Sequence, residues 1–117
     1  MKIKHIGAAG LAPFRRLIQR PKEQELRIFL FHDISQYDRK RFTKFIRWLK
    51  DASYILSPSE AAEVIRSGGA LSPSRKPACL LTFDDGFVSN YSVAEDILAE
   101  MNIKAVFFVC PGLVDAS

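Results

Sequence analysis

Apolar residues along this chain fall into two kinds of run, and the two kinds alternate. The stretch LRIFLFHDI (26–34) is rich in β-formers and almost continuously apolar between Arg27 and His32, which suits a strand buried on both faces. Next, Phe42, Phe45, Ile46 and Leu49 recur at i, i+3, i+4 and i+7, the stripe of an amphipathic helix over about 38–52. A short strand YIL (54–56) leads into SPSE, where Ser57 can cap, Pro58 takes the first helical position and Glu60 completes a capping box. That helix runs to about Arg66 and stops at Gly68 and Gly69, and SPSRKP (72–77) reads as an exposed connection. ACLLTF (78–83) is a second fully apolar strand. A helix over about 89–101 follows, with Val93, Ala94, Ile97, Leu98 and Met101 on one face and Asn102 closing it in the left-handed conformation. KAVFFVC (104–110) is a third apolar strand, closed by Pro111 and Gly112. Strands alternating with helices predict an α/β fold with a mainly parallel sheet and helical crossovers.

In such folds ligands gather at the carboxyl ends of the strands. Two of these strands end in polar pairs, His32-Asp33 and Asp84-Asp85. The second pair is the more demanding, because adjacent carboxylates repel and something nearby must offset them. A solvent-facing turn completed by Gly86 would do so weakly, and a bound cation strongly. A dehalogenase-type phosphotransferase wants aspartates at i and i+2, but i+2 from Asp84 is Gly86. A receiver-type phosphoacceptor domain does use an adjacent acidic pair for magnesium. It places that pair after the first strand, whereas here some eighty residues with two helices come first.

Charge and cysteines narrow the partners. The net charge of +4 conceals an asymmetry: residues 1–53 hold thirteen Lys+Arg against five Asp+Glu, and residues 54–117 hold four against eight. Nucleic acid is not the expected partner, because the aromatics of the basic helix sit on its apolar stripe, where stacking on bases is closed to them. Cys79 and Cys110 lie inside apolar runs and read as buried thiols, since neither number nor spacing suits a disulfide framework or a metal site. No stretch approaches the roughly 18 apolar residues of a membrane span. The first 25 residues read as a basic leader. Lys2 and Lys4 before IGAAGLA imitate a signal peptide, but the apolar run is short and meets Pro13, Arg15 and Arg16 at once. A second reading lays Ile6, Leu11, Phe14, Leu17 and Ile18 on an anionic membrane surface with Arg15, Arg16 and Arg20 opposite. The expected location is therefore cytoplasmic or peripheral at the membrane.

LLTFDDGF (80–87), followed by an amphipathic helix and KAVFFV, closely resembles the first signature of the polysaccharide deacetylase family, the NodB-homology or carbohydrate esterase 4 type. FLFHDI also looks like the Tyr-His-Arg/Asp-type strand that precedes this signature in one bacterial branch. The resemblance spans roughly Arg27 to Asp115. It implies the N-terminal portion of a distorted (β/α) barrel and a hydrolase that removes N-acetyl groups from amino sugars of a bacterial polysaccharide. It further implies Asp84 as general base and Asp85 as ligand of a divalent metal, usually zinc. Gly86 would permit the tight turn, with His32 and Asp33 as active-site neighbours. The family's two histidine ligands, in a His-x-x-x-His-type signature, are not found: only His5 and His32 are present, too far apart. The later acetate-binding and general-acid signatures are not found either, and a full barrel runs to about 250 residues. Residues 26–117 are thus expected to be a truncated deacetylase domain, inactive alone and prone to self-associate along the edge of AVFFVC. The alternative of another class is a catalytically dead carbohydrate-binding or assembly module.

Overall fold

Strand β4, Ala78–Phe83, is the element around which the others are laid, and all six of its residues are buried. The computed structural model describes residues 2–7, 25–68 and 76–114. Strand β2, Glu25–Phe31, runs parallel to β4 from Leu26 opposite Ala78 to Phe31 opposite Phe83. The other edge of β4 is shared by two short parallel strands. β3, Tyr54–Ile55, pairs with Ala78 and Cys79, and β5, Val106–Phe107, pairs with Thr82 and Phe83. β1, Lys2–Gly7, lies parallel against the outer edge of β2, Lys2 opposite Glu25 and Gly7 opposite Leu30. The sheet is parallel at every pairing, as the alternation of runs predicts. The strand formed by the first residues was not foreseen, and the amphipathic reading of the leader falls largely on residues outside those described.

Side-chain alternation on β2 and β4 divides the core. One face carries Phe29, Phe31, Cys79, Leu81 and Phe83, and packs against Phe42, Phe45, Ile46 and Leu49 of helix α1, Arg39–Ala52. These four are the apolar stripe read from the sequence. The same face receives Val93, Ile97 and Leu98 from helix α3, which runs Val88–Val93 and continues into a wider π-helical turn, Ala94–Leu98. The opposite face carries Leu26, Ala78 and Leu80 and packs on Ala61 of helix α2, Pro58–Arg66. Each fully buried Phe or Leu contributes roughly 1.5–3 kcal/mol.

Local chemistry sets the ends. The Ser57 hydroxyl accepts from the Glu60 N–H (3.2 Å) and the Glu60 carboxylate accepts from the Ser57 N–H (3.0 Å), the reciprocal box predicted for α2. The Ser57 backbone N–H first, and the Ser57 side chain second, hold the Glu60 carboxyl below its ordinary range. Asn102 closes the α3 segment with φ 56°, also as predicted. A last short helix, α4, spans Pro111–Val114. Two expectations need correcting. The run 104–110 pairs only at Val106–Phe107, because its partner β4 ends at Phe83 and turns away at Asp84. Its last ladder contact is the Phe108 N–H to the Phe83 carbonyl at 2.8 Å. Cys110, beyond that point, is therefore exposed rather than buried, whereas Cys79 is buried. Among the described residues, no helix is long and apolar enough to cross a membrane.

Candidate active site

The register that sets Phe31 opposite Phe83 brings His32-Asp33 and Asp84-Asp85 to one end of the sheet. Beneath them lies an aromatic floor. The rings of Phe31 and Phe83 stack at 5.1 Å between centroids, Phe83 and Phe107 at 4.9 Å, and Phe42 meets Phe31 edge-on at 5.2 Å. The polar groups therefore stand above a layer of stacked rings, of which Phe31 and Phe83 are buried and Phe107 is partly exposed.

The β4 end is a tight turn. The Asp84 N–H donates to the Phe31 carbonyl at 2.9 Å, extending the sheet by one bond. Asp85 and Gly86 then both take positive φ, 72° and 64°. Only glycine adopts that conformation freely, and Asp and Asn are the side chains that tolerate it best. A Cβ on Gly86 would come within 3.3 Å of Val109 Cγ1 and 3.6 Å of Val109 Cα. The glycine thus serves both the turn and a close approach by the chain after β5. Two left-handed residues after Asp84 turn the chain sharply at the end of β4.

At the β2 end the chain stays open. His32 Nδ1 lies 3.5 Å from Asp85 Oδ2, both side chains being 58% exposed. Asp33 is engaged elsewhere. Its Oδ1 accepts from the Ser89 hydroxyl at 2.6 Å, and that hydroxyl oxygen accepts from the Ile34 N–H at 3.2 Å. Next to Ser89, Asn90 is buried and donates through Nδ2 to the Asp84 carbonyl at 3.4 Å. Lower on α3, Ser92 and Asp96 hold Arg39, whose guanidinium donates to Asp96 Oδ2 at 2.6 Å and to the Ser92 hydroxyl at 3.2 Å. The first turn of α1 is thereby joined to the end of α3 and its π-helical continuation.

Of the predicted site residues, His32, Asp84, Asp85 and Gly86 come together, and Asp33 faces Ser89 instead of the carboxylate pair. Ser89 and Asn90 were not singled out from the sequence. The only signal there is a polar pair, Ser-Asn, in the first turn of an apolar-faced helix, and nothing local says that the asparagine is buried. An apolar hollow of about 480 Å³ between α3 and β5, lined by Pro58, Ala94, Leu98, Ile103 and Phe107 among others, includes none of the site residues.

Asp85 and His32 offer an oxygen and a nitrogen donor of the types that zinc takes. Among the described residues no group of three or more His, Cys, Asp or Glu converges to hold a metal ion. The two donors fit a zinc ion in kind.

A parallel α/β sheet with a polar mouth at its carboxyl edge is the class of protein that this geometry defines. Comparison with known proteins narrows it. The polysaccharide deacetylase family model matches residues 72–117. The putative polysaccharide deacetylase YxkH of Bacillus subtilis (strain 168) is 34% identical over 98 residues, which make up 79% of this chain and 34% of that protein. The structure of IcaB from Ammonifex degensii superimposes with a TM-score of 0.62 at 28% identity, over 78% of this chain and 40% of that one. All three comparisons agree with the resemblance read from TFDDG, and this chain is similar to part of a polysaccharide deacetylase domain. It spans about a third of the length of the curated relative that it matches.

Proposed function

We propose that this chain supplies the base and the first metal ligand of a hydrolase that removes N-acetyl groups from amino sugars of a bacterial polysaccharide. The observation that carries the reading is the turn after β4. Its two residues after Asp84 are left-handed, Asp85 at φ 72° and Gly86 at φ 64°, an arrangement in which one of the two adjacent carboxylates can hold a cation while the other works on water.

In this reading Asp85 is a ligand of a divalent cation, zinc by the habit of the family, and the remaining ligands come from outside the described residues. When bound, such a cation activates water and polarises the amide carbonyl, and it offsets the charge of the paired carboxylates. Asp84 is half-buried at the end of the last fully paired strand, with its backbone tied to Phe31. It accepts the proton of the attacking water as the new carbon–oxygen bond forms. That proton must finally reach the departing amine as the carbon–nitrogen bond breaks. His32 stands on the Asp85 side of the turn, which makes it a neighbour of the cation rather than of the base. The buried rings of Phe31 and Phe83 close the sheet to water beneath this end.

The test pairs metal binding with chemistry. Zinc titrated into the chain by calorimetry should bind weakly, with affinity lost in Asp85→Ala. Within a complete domain, acetate release from N-acetylglucosamine oligomers should stop on chelation. Wild-type zinc affinity in Asp85→Ala, or acetate release indifferent to chelator, overturns the reading.

A further inference from the structure

Asn90 is an odd residue to bury. It sits in the first turn of α3, 4% exposed, and its Oδ1 has no hydrogen-bond partner among the described residues. An orphaned carbonyl oxygen in a packed interior lowers stability, and an apolar side chain would remove that cost. The other half of the same carboxamide makes one long bond, Nδ2 to the Asp84 carbonyl at 3.4 Å. The Asp84 carbonyl belongs to the peptide plane preceding Asp85. Rotation of that plane about the Asp85 N–Cα bond is φ of Asp85, the angle held at 72°. With the Asp84 N–H tied to the Phe31 carbonyl and the Asp84 carbonyl tied to Asn90, the backbone of Asp84 is held on both sides. The direction in which Asp85 leaves the backbone is then set.

We propose that Asn90 is the positioning residue of the Asp84-Asp85-Gly86 turn, fixing the Asp85 carboxylate for its cation through the Asp84 carbonyl. Its neighbour Ser89 does the matching work at the other strand end, holding Asp33 and the Ile34 N–H. One helical turn therefore references both ends of the mouth and sets the 3.5 Å between His32 and Asp85. The inference rests on the proposed role of Asp85 as a cation ligand. A merely structural asparagine would lower stability on removal. A positioning one also loosens the turn and weakens zinc binding, whatever the change in stability.

The experiment compares the whole chain with Asn90→Leu, and with Asn90→Ala should leucine not be accommodated. The backbone order parameters of Asp85 and Gly86 should fall from the rigid range near about 0.85 toward about 0.6, while Leu81 in β4 keeps its value. Zinc alone, titrated by calorimetry, should bind at least about 5-fold more weakly, in line with the loss expected when a partner orienting a metal ligand is removed. Unchanged order parameters at Asp85 and Gly86 overturn the proposal. So does a turn that loosens while zinc affinity stays at the wild-type value. Asp85→Ala separates the two claims: if it binds zinc like the wild type, the cation reading fails, while the order parameters still decide whether Asn90 holds the turn.

Discussion

The ends of β2 and β4 are written alike and built differently. Both are apolar strands stopped by a polar pair, and the register sets them side by side. After β4 the chain reverses within two residues, both left-handed and one pressed against Val109. After β2 it wanders through residues 32–38 before α1 begins, fastened by the Ser89 hydroxyl. A carboxylate on the first kind of end has a direction fixed by backbone. One on the second kind takes the nearest donor, as Asp33 takes Ser89. Position at a strand end thus does not by itself decide what a carboxylate faces; the backbone after it does.

The largest expected effect tests that contrast directly. Within a complete domain, Asp84→Asn should cost about 10²–10⁴-fold in acetate release, the usual contribution of general acid–base catalysis. Asp33→Asn should cost less than about 10-fold, since its carboxylate is engaged with Ser89 and takes no part in the proton transfer. Equal losses at both positions would erase the distinction. A smaller effect concerns the tight turn itself. Gly86→Ala should lower stability by about 1–2 kcal/mol, through the strain of φ 64° in an L-residue and the 3.3 Å approach to Val109. It should also weaken zinc binding, with both read by thermal denaturation and calorimetry. The smallest effect belongs to the far end of β4. Burial pushes the Cys79 thiol from 9.0 up to about 11, against the weaker opposing pull of its Ser53 contact. The folded state therefore favours the neutral thiol. Its contribution to stability is complete below about pH 9 and is lost as pH rises toward about 11. Denaturation midpoints of the chain and of Cys79→Ala should run parallel at about pH 6–8 and converge or cross between about pH 9 and 11.

What could be read beforehand was what depends on neighbours in sequence. The Ser57–Glu60 box, the α1 stripe and the limits of β4 are local patterns, and each is present as written. The pairing of Asp84 with Asp85, and the need for Gly86 beside them, were visible for the same reason. What escaped depends on partners far along the chain. Asp33 is claimed by a serine 56 positions away, and Asn90 is buried by a fold that no local window contains. The exposure of Cys110 and the shortness of β5 follow from where β4 turns, not from the apolar run that both occupy. The pairing of Lys2–Gly7 with β2 is likewise a tertiary decision, overriding a composition that resembles a leader.

The π-helical turn Ala94–Leu98, closed by the Ala99 N–H to the Ala94 carbonyl at 2.9 Å, bears on how this scaffold can vary over descent. A π turn holds one residue more than a regular α segment of the same span, and such turns are commonly met near working sites. Upstream of it, Ser89 and Asn90 must face the two strand ends. Downstream, Ile103 must stay in the core behind the left-handed Asn102. The wide turn takes up its extra residue without disturbing either obligation. Length is therefore negotiable at this one place: a lineage could drop a single residue here, regain an ordinary helix, and leave the carboxylates where they stand.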